Sequence, residues 1–151
     1  MYAVIRIRGS VDTSKDVEDT LRMLRLNKPN NCIVVPETKE YLGMLRKSKD
    51  FIAYGVIDFD TFLEILRKRA RLIGNKRLTE DNVKELRFNS IEELAKAIFK
   101  NKVKMKEIRN LKPVFRLNPP RKGHKSTRKH YPKGSLGFWG TEINKLLKRM
   151  I

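Results

Sequence analysis

Cysteine is nearly absent from this sequence. Cys32 stands alone among 151 residues, so no intrachain disulfide can form, and a reducing compartment such as the cytosol suits the chain best. No window holds 18 uninterrupted apolar residues, which excludes a helix that spans a bilayer. The opening apolar segment, Tyr2–Ile7, is too short and too interrupted by Arg6 for the core of a secretion signal. There is no Gly-x-x-x-x-Gly-Lys loop, no serine in a nucleophile elbow and no internal repeat of solenoid length. The expectation is a soluble intracellular protein that lacks the constellations on which enzymes rest. The most informative absence is of one charge: between Glu107 and Glu142 there is not a single carboxylate.

Cations fill that gap: Arg109, Lys112, Arg116, Arg121, Lys122, Lys125, Arg128, Lys129 and Lys133. The whole chain carries 35 Lys+Arg against 17 Asp+Glu, a net charge of +18 with a pI near 10.3. That balance points to nucleic acid as partner ahead of an acidic membrane surface. Its placement says more than its sum. Residues 1–60 carry a net +1, residues 61–107 +6, residues 108–140 +9 and residues 141–151 +2. An almost neutral first part followed by a cationic remainder predicts a core at 1–57 that carries a binding extension at 58–151. The 40% hydrophobic content supplies material for a true core, and a chain of this length buries roughly 68–70% of its unfolded surface.

Tyr2–Arg8 alternates with a period of two, Ala3, Ile5 and Ile7 on one face and Arg6 and Arg8 on the other, a half-buried strand closed by Gly9-Ser10. Thr13 or Ser14 caps a helix with Asp16 in its first turn and Val17, Leu21 and Leu24 on its apolar face. Cys32–Val35 is a short strand stopped by Pro36. A second helix from about Thr38 turns Tyr41, Leu42 and Leu45 inward, and Phe51–Ile57 is a third strand. This β-α-β-α-β order describes an α+β class fold, a small sheet with helices on one face. Beyond it, Asp58 or Asp60 caps a helix in which Thr61 and Glu64 have capping-box spacing. Its apolar stripe is Phe62, Leu63, Leu66, Ala70 and Ile73, and Gly74-Asn75 closes it. Two short helices follow, from Thr79 through Leu86 and from Ser90. The extension ends with a fourth strand at 113–117, a basic loop at 119–134 and a capped C-terminal helix at 141–151.

The basic loop has proline near both ends, two glycines and no apolar run, so on its own it is expected to stay extended and mobile. His124 and His130 lie in it without a Cys, Asp or Glu neighbour, which does not make a zinc site, and nothing nearby orients them as an acid–base pair. Both are read as hydrogen-bonding or stacking groups for RNA, and Tyr131 as the loop's stacking platform. Phe115 is expected in the sheet core. Phe138-Trp139 either pack the C-terminal helix onto the body or stack on bases. Arg67, Lys68, Arg69 and Arg71, followed by Lys76 and Arg77, exceed what a helix dipole needs and are read as phosphate contacts. Arg6 and Arg8 on the open strand face, and Arg116 opposite Phe115 and Leu117, are further candidates.

The motifs Ile5-Arg-Ile-Arg-Gly9, Thr20-Leu-x-x-Leu24-x-Leu26 and Val35-x-x-Thr38-x-x-Tyr41-x-Gly43-Met44-Leu45-x-Lys47 resemble the universal ribosomal large-subunit protein L thirty. The first sixty residues cover its short bacterial form. The continuation, with Leu72-x-Gly74, Leu78-Thr79, the Ile91-Glu-Glu-Leu94 helix, the Lys125–Tyr131 loop and Asn144-x-Leu146-x-x-Arg149-Met150, is similar to the longer archaeal and eukaryotic form. The resemblance implies a ferredoxin-like α+β core and a structural, non-enzymatic constituent of the cytoplasmic large subunit, monomeric there and without a cofactor. Its implied partners are large-subunit rRNA near the 5S rRNA and other large-subunit proteins. It also implies RNA contacts at the turn after the first helix and the start of the second, at Arg25, Asn27, Lys28 and Asn30, with Thr38, Lys39, Arg46 and Lys47. The low net charge of residues 1–60 shifts the weight to the extension, where Arg121, Lys122, His124, Lys125, Arg128, Lys129, His130, Tyr131 and Lys133 join Arg116. The rival readings are an RNA-processing enzyme that uses His124 and His130 and a chromatin-type DNA binder.

Overall fold

Alternation along Tyr2–Ile7 buries both faces of the first strand. Ala3, Ile5 and Ile7 point into one apolar cluster and Val4 into another. A computed structural model describes all of residues 1–151. Its elements in order are β1 (Tyr2–Arg6), α1 (Lys15–Met23), β2 (Asn31–Val35), α2 (Lys39–Lys47), β3 (Ile52–Val56), α3 (Phe59–Arg69), α4 (Glu80–Val83), α5 (Ile91–Phe99), β4 (Phe115–Arg116), β5 (Gly137–Phe138) and α6 (Ile143–Met150). The strands form one mixed sheet in the order β4-β2-β1-β3-β5. The pairs β1–β2, β1–β3 and β2–β4 are antiparallel, and β3–β5 is parallel.

One face of the sheet meets Leu21, Leu24, Leu26 and Leu45 from α1, α2 and the turn between α1 and β2, in a cluster of ten buried residues. The other face meets Phe62, Ile65 and Leu66 of α3, Leu94 and Ile98 of α5, and Ile143 and Leu147 of α6, in a cluster of 29. That larger cluster draws on residues from both sides of Ile57, so the extension covers the second face of the sheet. Asn144 stitches the two parts together: its Nδ2 donates to the Val56 carbonyl at 3.1 Å, and its Oδ1 accepts from the Asp58 N–H at 3.0 Å. Cys32 is fully buried in the sheet, and burial pushes its thiol up to about 12. No helix is long and apolar enough to cross a membrane.

The ends of the helices show where local chemistry decides. Thr38 Oγ1 accepts from the Tyr41 N–H, and Ser90 Oγ from the Glu93 N–H, as N-caps should. α1 ends in a Schellman turn, in which the Arg25 N–H donates to the Arg22 carbonyl and the Leu26 N–H to the Leu21 carbonyl, both at 2.8 Å. α3 departs from expectation. Thr61 is buried inside it and caps nothing, and the helix stops at Arg69 because Ala70 is extended. Residues 71–77 form a hairpin closed at Arg71↔Arg77, with Gly74 and Asn75 both at positive φ, and this turns Ile73 out to solvent.

Candidate nucleic-acid interface

The strand registers bring the C-terminal end of β1, the N-termini of β2, β3 and β5 and the C-terminal end of β4 to one end of the sheet. The pairs Asn31↔Arg116, Arg6↔Ile52 and Ala53↔Gly137 mark it. The basic loop leaves β4 and enters β5 at this same end, so it crosses from one edge of the sheet to the other. α2 finishes here, just before β3, and α3 and α6 finish here together, where Arg69 Nη2 donates to the Ile151 carbonyl at 2.6 Å. The C-terminal carbonyls of three helices therefore face the region, and a negative helix end favours cations beside it.

The loop is folded, which corrects the expectation of an extended, mobile arm. Its backbone supplies the bonds that an apolar core would otherwise replace. The Gly123 N–H donates to the Pro120 carbonyl at 2.9 Å, Ser135 N–H to Ser126 at 2.8 Å, Tyr131 N–H to Leu136 at 2.8 Å and Gly134 N–H to His130 at 2.8 Å. Arg149 clamps the loop from α6, donating through Nη2 to the Arg121 and Gly123 carbonyls, both at 2.6 Å. A Cβ on Gly134 would sit 2.0 Å from the Lys129 carbonyl oxygen, so the return of the chain needs glycine there. His130 Nε2 lies 2.7 Å from Asp50 Oδ1 and fastens the loop to the start of β3. Tyr131 stacks on Trp139 with ring centroids 4.5 Å apart.

The cations of the loop take little part in this. Arg121, Lys122, Arg128, Lys129 and Lys133 are exposed and their side chains bond to nothing in the chain, while Lys125 reaches the Pro132 carbonyl at 3.3 Å. Lys122 is held at φ 65 and Arg25 at φ 60, left-handed positions that favour glycine. Both turns thus present a cation where the backbone would tolerate a smaller residue better. Arg25, Asn27 and Lys28 on the turn between α1 and β2 are exposed at the same end, as are Arg46 and Lys47 at the close of α2 and Arg116 on β4. Asn30 is there too, half-buried at φ 64, with its carbonyl accepting from Leu117. Arg8 lies with its guanidinium 5.0 Å over the Phe51 ring.

Other candidate residues are placed differently. Arg6 does not stand on an open face. It is 2% exposed, and its guanidinium donates to the carbonyls of Arg8 at 2.9 Å and Leu26 at 2.6 Å and to Ser10 Oγ at 3.1 Å. The α1 helix covers the side of β1 that alternation alone leaves open, and burial lowers the Arg6 pKa while the Glu18 charge raises it. Thr38 and Lys39 begin α2 at the opposite end of the sheet, and Thr38 serves as a cap. The basic run at the end of α3 and the start of the hairpin is engaged within the chain: on α3 Arg67 pairs with Glu92, Lys68 with Glu64 at 2.7 Å and Arg69 with the Ile151 carbonyl, and on the hairpin Arg71 with the Asn75 carbonyl at 3.4 Å. Lys76 and Arg77 are exposed on the hairpin.

The histidines do not converge. His130 faces Asp50, whereas His124 lies half-buried near Arg149, its pKa lowered by burial and then by the Arg149 charge. Phe115 is fully buried in the sheet, as expected. Trp139 packs on the larger cluster, but Phe138 points to the opposite face and is 52% exposed. Arg149, Asp50 and Asn144 organise the site without any local sequence signal, because each acts on a main-chain or side-chain group at least 26 residues away apart from the Asn144 bond to Thr141.

A sheet whose one end gathers unpartnered cations defines a basic protein made to lie against a polyanion. The family model described as Ribosomal protein L30p/L7e matches residues 2–52. Over the full length, the chain is 53% identical across 152 residues to the large ribosomal subunit protein uL30 of Methanocorpusculum labreanum, covering 99% of each. It is 50% identical across 151 residues to that of Archaeoglobus fulgidus, again with 99% of each, and 48% identical across 153 residues to that of Methanosphaera stadtmanae, with 100% of each. The chain belongs to the L30p/L7e family of ribosomal proteins. It is a structural, non-enzymatic constituent of the large ribosomal subunit in the cytoplasm, with rRNA and other ribosomal proteins as its partners.

Proposed function

We propose that the cationic end of the sheet is the rRNA-docking surface, close to the 5S rRNA, and that loop 119–134 is its principal phosphate-contacting element. The observation that carries this reading is a division of labour inside the loop. Its backbone bonds are made within the chain, while Arg121, Lys122, Arg128, Lys129 and Lys133 project free. A loop folded before contact loses less conformational entropy on binding than a disordered arm. Each cation that displaces a condensed counterion contributes about 0.7–0.9 to the slope of log affinity against log salt. Arginine adds a planar fork that bridges two phosphate oxygens.

Arg8, Arg25, Asn27, Lys28, Arg46 and Lys47 extend the surface across residues 1–57 and meet Arg116 of the extension on β4, so core and extension contact RNA together. Recognition on this scheme rests on RNA shape and 2′-hydroxyls, since the deep, narrow major groove of A-form RNA keeps base edges from side chains. Arg67, Lys68, Arg69 and Arg71 contribute less, because each already has a partner. Crosslinking from Lys125 and Tyr131 in assembled large subunits tests the placement. Adducts to rRNA, with the 5S rRNA among them, are the expected result. Adducts to proteins alone would overturn it.

A further inference from the structure

At the end of β5 the chain sends Trp139 into the larger apolar cluster and Phe138 to the other side of the sheet, beside Tyr54. Phe138 is more than half exposed although the residues before it, Gly134–Gly137, are buried. Its ring is held in place all the same. The register Tyr54↔Phe138 sets it beside Tyr54, with centroids 5.4 Å apart, and Tyr2 meets it edge-on at 6.5 Å. Tyr2 and Tyr54 meet at 87° and 6.3 Å, so the three rings brace one another and leave one face of Phe138 open.

We propose that Phe138, backed by Tyr54 and Tyr2, is a stacking platform for one unpaired rRNA base, on the opposite sheet face from the Tyr131–Trp139 pair. The proposal rests on the docking surface described above and extends it. Two observations favour a nucleotide as the occupant. The platform is continuous with the basic end: Gly137 precedes Phe138, and the space where its Cβ would stand, 2.6 Å from His130 Nδ1, is what lets the loop's histidine lie against β5. The cations that bear on Tyr54 and on Phe51 of the same apolar cluster are also of the sign a phosphate needs. Arg46 is close enough to oppose the burial-driven rise of the Tyr54 phenol, Arg8 lies over the neighbouring Phe51, and Asp50 is occupied by His130. Rings interleaved with cations bind single-stranded nucleic acid by stacking and charge together.

The test uses the full chain and deproteinised large-subunit rRNA as probe, with affinity measured over a range of salt. Phe138→Ala is expected to weaken binding by about 5- to 150-fold at every salt concentration, with no change in salt slope. Phe138→Tyr keeps the π face and binds within about twofold of the original. Phe138→Leu keeps apolar bulk without that face and shows the alanine-like loss, and an unfolding midpoint close to that of the original chain removes misfolding as an explanation. If replacing the loop cations by glutamine leaves affinity and slope unchanged, the docking surface itself is wrong. If the loop change flattens the slope while Phe138→Ala binds as tightly as the original, the platform alone is wrong. A photo-reactive side chain at position 138 in assembled subunits should label a nucleotide, and adducts to protein only would overturn the proposal.

Discussion

Arg6 offers the sharpest separation between a cation that holds the fold and one that holds RNA. Its alternation with Ile5 and Ile7 makes it look like a surface group, yet it is 2% exposed and spends its guanidinium on Arg8, Leu26 and Ser10. Arg6→Ala removes two buried methylenes beyond Cβ, worth about 0.8 kcal/mol each. It also leaves the buried Leu26 carbonyl without its donor, at roughly 1–3 kcal/mol. The Arg8 carbonyl and Ser10 hydroxyl lie nearer solvent and can turn to water. Release of a desolvated charge returns part of the loss, so the net destabilisation should be about 3 kcal/mol. With a urea slope of roughly 1–3 kcal/mol per molar, the unfolding midpoint falls by about 1–3 M. Arg6→Lys should recover little, because one ammonium cannot serve three acceptors in a plane. rRNA affinity of the folded fraction should keep its salt slope. A variant of unchanged stability whose slope drops by about 0.9 would show that Arg6 is a phosphate contact and that its buried role has been misjudged.

Gly55→Ala tests whether α6 is seated on β3. The added Cβ would lie 2.2 Å from the Gly140 carbonyl oxygen and 2.9 Å from Ile143 Cβ, and overpacking of this kind should lower the melting temperature by roughly 3–10 °C; an unchanged melting temperature would contradict that packing. His124 supplies a pH signature. Its folded-state pKa lies below the ordinary 6.5, first through burial and then through Arg149, so below about pH 6.5 the unfolded chain binds a proton that the folded one refuses. Stability is therefore full above that pH, declines as the pH drops below it, and levels off once the folded-state pKa is passed. Urea midpoints between pH 5 and 8 should show this decline, His124→Gln should flatten it, and superimposable curves for the two proteins would count against the buried, Arg149-facing histidine.

The three-strand core, both of its helices and the apolar stripes of α5 and α6 were legible because each rests on local periodicity and local caps: Ala3, Ile5 and Ile7, Thr38, Ser90, and Ile143, Leu146, Leu147 and Met150. What eluded reading depends on contacts distant in sequence. Nothing near Arg6 reveals that α1 will close over it, and nothing near Ala70 reveals that the hairpin must turn to meet Leu111 through Leu72. The loop was the largest such case. Its composition describes a disordered segment, but Arg149, Asp50 and Trp139 fasten it from α6, the start of β3 and the end of β5. The cations themselves were visible throughout; which of them stand free and which are tied to Glu92, Glu64 or a carbonyl could be learned only once the helices were packed.

The most direct test of the docking surface is the salt dependence of rRNA binding by the full chain and by a variant with Arg121, Lys122, Lys125, Arg128, Lys129 and Lys133 changed to glutamine. If these cations sit among phosphates, the variant stays folded and its slope of log affinity against log salt is shallower by about 0.7–0.9 for each phosphate that is no longer neutralised. Parallel lines for the two proteins would mean that the RNA is held somewhere else.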